Sequence, residues 1–420
     1  MKRISKFLAL IMITAGLSTQ AQERDLDNFR PLDKRGINIF ESPKDSVSTF
    51  DGLQVRIGGA STIQFQSLRH ENSGQVALSD LGTNFNLPTA NLDLDVQLYH
   101  GVRMHLRTYL SSRHHPEPYV KDGYILIDRL DFINPGFMDH LMDKVTLKIG
   151  HMETNYGDAH FRRTDNAHSL QNPFVGNYIM DAFTTEVGAE VYYRDRGFLG
   201  MVGATNGKLN QSVSSPTTDG VSFVAKLGYD NYLADDFRFR LTGSLYHTSQ
   251  VANSYLYSAD RAGSRYYMVL EPEGASASAN FTSGRYNPAF GNEITAVMIN
   301  PFFKYGGLEF FGTFEYATGQ RDTDPDSRSF TQLAGDLIYR FGADEKFYVA
   351  GRYNTISGEE AVTYRDIDIN RVQIGAGWFM TKNILAKLEY VHQDYKGFGP
   401  TSIYNGGKFN GLMVEAAISF

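Results

Sequence analysis

The chain has 420 residues, a formal net charge of −7 and no cysteine. The acidic excess argues against nucleic acid as a partner, and the lack of cysteine excludes disulfides, thiolate catalysis and cysteine-based zinc sites. Beyond the N-terminus no run approaches the roughly 20 apolar residues of a membrane-spanning helix, while 40 glycines, 25 tyrosines and 29 phenylalanines favour a β-rich chain.

The N-terminus has the order of a secretory signal peptide. Basic residues (Lys2, Arg3 and Lys6) precede a short apolar run over 7–17 and a small-residue site that ends at Ala21. We predict a signal peptide over 1–21, whose removal takes the formal net charge from −7 to about −10. The polar, turn-rich stretch 22–52 is predicted to form a periplasmic strap, and a plug inside a barrel is the alternative.

From residue 53 onward, stretches of about ten residues alternate apolar and polar side chains, which is the pattern of membrane β-strands. In Leu92–Leu98, for example, Asp93 and Asp95 share one face and leucines share the other. Sixteen such stretches are predicted, an even number as in bacterial barrels. They lie at 53–65, 92–98, 102–110, 122–133, 144–152, 182–194, 197–206, 221–230, 236–248, 293–305, 307–319, 329–341, 346–357, 367–380, 383–395 and 409–420.

The connections between these strands alternate between long and short, with one partial exception at 134–143. Outer-membrane barrels have short periplasmic turns and longer external loops. A soluble sandwich has no reason to sort its loops in this way. The pattern therefore predicts an all-β, transmembrane antiparallel barrel of about 16 strands over 53–420, in the outer membrane of a Gram-negative bacterium.

The final strand places Leu412, Val414, Ile418 and the terminal Phe420 on one face. A terminal aromatic in this position is predicted to act as an assembly signal that the barrel-assembly machinery reads. Trp378 shares the apolar face of its own strand, as expected for a lipid-facing aromatic girdle.

Four segments together suggest a family. They are Val120–Tyr124, Lys144–Met152, Tyr156–Asp158 and Thr185–Val191. This region resembles the phosphate-selective porin (O/P-like) family of Gram-negative outer-membrane porins. The resemblance implies a sixteen-stranded pore, commonly a homotrimer. Because residues predicted to face the lumen carry both signs of charge, phosphate specificity is not carried over.

The loop over 153–181 is predicted to fold inward and to form the pore constriction. Its candidate constriction residues are charged: Glu153, Asp158, Arg162, Arg163 and Asp165. We hypothesise that the two arginines face wall acids such as Glu186 or Glu190. The alternative is an external loop whose charges are solvated.

Five residues are predicted to face the pore lumen, namely Arg103, His105, Arg107, Glu186 and Glu190. Such a stripe of charges requires water or acidic partners in the barrel interior. Two interpretations stay open and are compatible: a path for solutes, or an ion-pair ladder that holds the wall. Tyrosines 99, 109, 192 and 246 have the same predicted parity, although the membrane girdle is the favoured location for most of them.

The predicted function is passive diffusion of small hydrophilic solutes or ions through a constricted aqueous channel. Solutes, outer-membrane lipid and the assembly machinery are the expected partners, and no cofactor, metal or catalytic activity is predicted. The Asp322–Asp326 run hints at calcium but lacks the glycine and distal glutamate of a helix-loop-helix site. The alternatives are a barrel-type hydrolase, for which no Gly-x-Ser-x-Gly or His-Glu-x-x-His motif is present, and a plugged structural or adhesin barrel.

Overall fold

The structure is a computed structural model that describes residues 26, 28–44, 50–111, 119–163, 168–207, 220–249, 251–258, 267–275, 284–361 and 363–420. The predicted signal peptide and Asp165 lie outside these residues.

Sixteen strands form one sheet, in agreement with the predicted number. They are β1 (Gln54–Glu71), β2 (Asn84–Tyr99), β3 (Val102–Ser111), β4 (Tyr119–Ile127), β5 (Val145–Glu153), β6 (Thr185–Asp195), β7 (Phe198–Thr205), β8 (Ser222–Ala234), β9 (Phe237–Thr248), β10 (Glu293–Tyr305), β11 (Leu308–Gln320), β12 (Arg328–Phe341), β13 (Phe347–Glu359), β14 (Asp366–Thr381), β15 (Ile384–Lys396) and β16 (Lys408–Ser419). Helical structure among the described residues is limited to single turns at Lys34–Gly36, Asp139–Met142, Ala159–Arg162 and Ala343–Glu345. None of the helices in the described part of the chain is long and apolar enough to cross a membrane.

Each strand pairs antiparallel with its neighbours in sequence, and β1 pairs with β16 to close the barrel. The register at the seam continues to the last residue. The backbone N–H of Phe420 donates to the Gly59 carbonyl at 3.0 Å, and the Gly59 N–H donates to the Phe420 carbonyl at 3.0 Å. Closure leaves no sheet edge unpaired, which is the requirement for a sheet in lipid. The predicted fold class is confirmed.

The wall follows the predicted alternation. In β16, Leu412, Val414 and Ile418 are exposed on the outside, whereas Met413 and Glu415 are buried on the inside. Outward-facing aromatic rings collect near the end of the barrel that carries the tight turns: Tyr99, Tyr193, Phe198, Tyr232, Tyr305, Tyr339, Phe341, Phe347, Trp378 and Phe420. The Phe347 and Trp378 rings stack with their centroids 6.3 Å apart. This is the surface that the interface of a lipid bilayer requires.

The two ends of the barrel differ as the loop lengths predict. Tight turns such as 196–197, 306–307 and 382–383 lie at one end, here called the turn end, and the longer connections lie at the other, the loop end. The connection predicted at 134–143, the exception to the alternation, is longer than predicted and spans 128–144. Strand β4 ends at Ile127 instead of Ile133, because Asp128 turns the chain and donates its N–H to the Gly101 carbonyl at 2.7 Å.

The barrel interior is packed. Three parts of the chain enter it: the N-terminal segment (residues 28–44) at the turn end, the inserted loop (the described part of 154–184) across the middle, and the long loop (the described part of 249–292) at the loop end. A sixteen-stranded barrel has room for an aqueous channel unless chain folds into it. Any path through the barrel must therefore lie in the space that these three segments do not fill.

Candidate functional site

The side chains of Arg103, His105 and Arg107 on β3 face the barrel interior, as predicted, and each of them contacts an acidic side chain. Arg103 lies 2.5 Å from Asp128, and the His105 ring lies 2.6 Å from Asp95. Arg107 donates from Nε and Nη2 to the two oxygens of Asp93 at 2.7 and 2.9 Å. All three side chains are buried. The geometry matches the ion-pair ladder interpretation, since paired charges can be buried in the wall.

The two predicted lumen acids on β6 are also buried, and they lie in different surroundings. Glu186 accepts hydrogen bonds from Thr205 and, at 3.0 Å, from the Tyr246 hydroxyl. Glu190 lies 3.5 Å from Lys148 and accepts a hydrogen bond from the backbone of Asn155 at 3.1 Å. Glu190 therefore helps to hold the start of the inserted loop.

The loop that follows β5, for which a constriction is predicted, lies inside the barrel, and Asp158 anchors it. Its carboxylate accepts hydrogen bonds from Arg240 at 2.8 and 2.9 Å, from Lys226 at 3.0 Å and from Thr242 at 2.8 Å. Burial by itself raises the pKa of Asp158, but the charges of Arg240 and Lys226 outweigh it and hold that pKa well below its usual range. The carboxylate is therefore ionised and fixed to β8 and β9.

The two loop arginines pair with groups other than Glu186 and Glu190, the wall acids that we hypothesised as their partners. Arg162 donates to the Asn38 side chain at 2.9 Å and lies over the Phe311 ring. Arg163 donates to Asp181 at 2.8 Å. Both arginines are buried. They hold the loop to itself and to the N-terminal segment, and neither lines the open space described below.

Farther along, the inserted loop is fixed to the opposite wall through its main chain. The N–H groups of Val175, Ile179 and Met180 donate to Glu389, Asn354 and Gln332 at 2.7, 2.7 and 3.0 Å. The loop therefore crosses from β5 to the wall of β12–β15. The alternation within their strands predicts that these three acceptors face the lumen. It does not predict which of the lumen-facing side chains contacts the loop.

The N-terminal segment lies in the mouth of the barrel at the turn end. Asn38 donates to Glu309 at 2.7 Å, Glu41 accepts from Arg240 at 2.9 Å, and the Lys44 ammonium lies 3.3 Å from Asp128. Burial raises the pKa of Glu41, whereas the charges of Arg240 and Lys226 lower it, and the result is a pKa of about 2. Charged contacts thus tie this segment to several strands.

At the loop end the interior is covered by apolar and tyrosine side chains. Apolar and tyrosine side chains of the long loop pack with Val175, Ile179 and Met180 of the inserted loop. These long-loop residues are Leu256, Tyr257, Tyr267, Val269, Leu270, Tyr286 and Phe290. The Tyr257 and Tyr267 hydroxyls donate to Glu315 and Glu389 at 2.6 Å each. This covering layer could not be predicted from the sequence, because a loop carries no periodic signal.

The four tyrosines with predicted lumen parity divide. Tyr109, Tyr192 and Tyr246 are buried inside, whereas Tyr99 is exposed on the outside, because the register shifts between Gln97 and Tyr99. The described residues contain no group of three or more acidic or histidine side chains placed to hold a metal ion.

An open space remains between the wall of β1–β6 and the two segments that face it. In this cavity water-sized molecules have about 100 Å³ of free space. Six cationic side chains line it (Arg30, Arg56, Arg103, Arg107, Lys148 and Arg194) together with four acids (Glu41, Asp95, Asp122 and Glu153) and the rings of His105, His160 and His168. Of the four constriction candidates that the structure describes, Glu153 lines the cavity.

Two of these cations lack a carboxylate partner among the described residues. Arg30 donates to the Phe161 carbonyl at 2.8 Å while its Nε and Nη1 atoms are buried without a hydrogen-bond partner, and Arg194 donates to the Ser42 carbonyl at 2.8 Å. Burial lowers the pKa of Arg30 to about 10, so it stays charged at neutral pH. Burial and the charges of Arg30 and Arg107 hold the pKa of His168 well below its usual value, so its ring is neutral there.

Solved structures with a similar fold include outer-membrane proteins. The high-pH structure of Pseudomonas putida OprB has a TM-score of 0.53 at 10% identity, covering 88% of this chain and 94% of that chain. The anion-selective porin from Comamonas acidovorans has a TM-score of 0.52 at 10% identity, covering 88% and 100%. In-vitro folded OmpT of Vibrio cholerae, in its trimer form, has a TM-score of 0.52 at 12% identity, also covering 88% and 100%.

At these identities the likeness establishes the fold alone, a closed antiparallel β-barrel. No protein-family model matches the chain, and no curated protein matches it by sequence.

Proposed function

We propose that this protein is an outer-membrane porin of a Gram-negative bacterium, in which small hydrophilic solutes diffuse through a narrow path along the wall of β1–β6. The observation that carries the proposal is the cavity between that wall, the inserted loop and the N-terminal segment, lined by charged side chains. The apolar outer wall and its aromatic girdle support the location.

The charges of the cavity favour small anions. The lining contains more cations than acids, and Arg30 and Arg194 have no carboxylate partner among the described residues. In a narrow, partly dehydrated passage an unpaired positive charge attracts an anion far more strongly than it would in bulk water. The acids that are paired with cationic side chains contribute little to the electrostatic field in the passage, because the positive charge of each partner cancels their own.

The assembly is proposed to be a homotrimer that the barrel-assembly machinery inserts and outer-membrane lipid surrounds. The trimer follows from the family resemblance of the sequence. The short turn-end connections are proposed to face the periplasm, with the long loops outside.

Single-channel recording in a planar bilayer tests the function. The purified protein is expected to give discrete conductance steps with a reversal potential that indicates anion preference. Replacing both Arg30 and Arg194 with Gln is expected to move the reversal potential toward cations, while Arg69→Gln, on the exposed outer wall, leaves it unchanged.

A plugged barrel without transport is the second candidate, and the N-terminal segment in the mouth favours it. Absence of any conductance step from correctly folded protein would support that candidate and contradict the porin proposal.

A further inference from the structure

We propose that the mouth at the turn end is a binding site for an extended polypeptide, and that the chain's own N-terminal segment occupies it as a displaceable plug. The inference rests on the proposed channel function and adds a gate to it. Its basis is the way in which the wall contacts residues 28–44.

Arginines of the wall hold the segment by its main-chain oxygens. Arg103 on β3 donates to the Asn28 carbonyl, and Arg56 on β1 donates to the Arg30 carbonyl at 3.4 Å. On β9, Arg238 donates to the Asn38 carbonyl at 2.8 Å, and on β6, Arg194 donates to the Ser42 carbonyl at 2.8 Å. Donors from four strands thus surround one stretch of chain. A site that reads carbonyl groups recognises an extended backbone, whatever its side chains.

Three of these arginines keep an acidic partner that belongs to the barrel. Arg103 pairs with Asp128 at 2.5 Å, Arg56 with Asp95 at 2.6 Å and Arg238 with Asp230 at 2.6 Å. Burying an unpaired charge is costly, so a wall that needed the segment for neutralisation could not release it. These three ion pairs remain when the segment leaves. The pairs that Glu41 and Lys44 of the segment make with Arg240 and Asp128 are lost, but Arg240 keeps Asp158 and Asp128 keeps Arg103, so the departure uncovers charges that still have a partner.

The sheet is also complete without the segment. Strand β1 pairs with both β2 and β16, and the segment adds no strand to the barrel. Its one regular element is the turn at Lys34–Gly36. Displacement therefore breaks side-chain contacts and the hydrogen bond from the Lys34 N–H to the Lys382 carbonyl (2.8 Å), and it leaves the ladder of the sheet intact.

Displacement would widen the passage, because the segment forms one side of the cavity. Phe29–Leu32 and Phe40–Ser42 line the cavity opposite the wall of β1–β6. The Phe40 ring packs on Phe302 with centroids 5.5 Å apart, an apolar contact that helps to hold the segment. With these residues gone, the path would be bounded by the wall and the inserted loop alone.

Thiol labelling of the full-length protein tests the plug directly, because the chain has no cysteine of its own. In Asn38→Cys the thiol is buried while the segment is seated. In Asn354→Cys, the matched control, the thiol lies under the inserted loop. A membrane-impermeant maleimide is expected to label position 38 far faster than position 354. Adding Arg194→Gln, which removes a charged hydrogen bond but strands no acid, is expected to speed labelling at 38 about tenfold, and adding Arg69→Gln is not.

A bridged variant tests the gate. Asn38 and Glu309 are in side-chain contact, so N38C/E309C is joined by a short linker that a reductant cleaves. Bridging is expected to lower the conductance, and cleavage is expected to restore it, whereas linker and reductant have no effect on the conductance of either single-cysteine variant. Position 38 labelling no faster than position 354, or a bridged protein that conducts like the unbridged one, would overturn the inference. If no variant conducts at all, the porin proposal fails, and the labelling rates still decide whether the segment leaves the mouth.

Discussion

Asp158 of the inserted loop and Arg240 of β9 form a two-point contact, with Nε and Nη2 of the guanidinium 2.8 and 2.9 Å from the two carboxylate oxygens. Lys226 completes the site at 3.0 Å from the same carboxylate. One carboxylate thus neutralises cations from two strands and fixes the loop across the lumen.

Replacing Asp158 with Asn is expected to lower the free energy of unfolding by about 3 kcal/mol, because the change leaves two buried cations with one acid fewer. The fluorescence of Trp378, the single tryptophan, reports unfolding of the wall during denaturant titration. Asp235→Asn, in an exposed turn, is the control and should have no effect. Equal stability of the two variants would mean that the loop does not depend on this contact.

The Glu41 contact predicts a pH dependence of defined sign. Its pKa of about 2 lies below the ordinary value of 4.5, so the folded state favours the ionised form. The stabilisation is therefore complete above about pH 4.5 and is lost as the pH falls toward 2. The wild-type protein should exceed Glu41→Gln in unfolding free energy by on the order of 2–3 kcal/mol at pH 6. A difference that stays constant down to pH 2.5 would contradict the assignment.

Phe420 contributes both a ring and the last two backbone hydrogen bonds of the seam. Deleting it removes both contributions, whereas Phe420→Ala keeps the two bonds with Gly59 at 3.0 Å. We expect the deletion to reduce the heat-modifiable barrel in outer-membrane fractions more than Phe420→Ala does. Phe85→Ala, another exposed ring of the outer wall, should leave it normal. Wild-type amounts for the deletion would refute the assembly-signal hypothesis.

The unequal ends of the barrel predict its orientation. An epitope inserted after Gly274, in an exposed turn of the long loop, should be accessible to antibody on intact cells. The same epitope after Gly306, in a tight turn, should become accessible after the outer membrane is permeabilised. The reverse pattern would invert the topology while leaving the barrel itself in place.

The sequence by itself determined the wall. Alternation with a period of two is a local property of each strand, so the outward positions of Leu412, Val414 and Phe420 and the inward positions of Asp93 and Arg107 could be predicted one strand at a time. Loop lengths, also local, separated the two ends of the barrel. Where local order breaks, parity misleads: Tyr99 faces outward because of a register shift, and β4 ends early at Asp128. The girdle location favoured for most of the four tyrosines holds for Tyr99 and is wrong for Tyr109, Tyr192 and Tyr246.

Only the tertiary structure decided what fills the lumen. Arg162 meets Asn38, 124 positions away in the chain, and Glu389 meets Val175 across 214 positions. Such contacts depend on how the closed barrel brings distant strands together, and no periodicity in either partner specifies them. The same holds for the N-terminal segment, whose polar, turn-rich composition suits a strap outside the barrel as well as a plug within it. Its seat in the mouth depends on arginines supplied by four different strands.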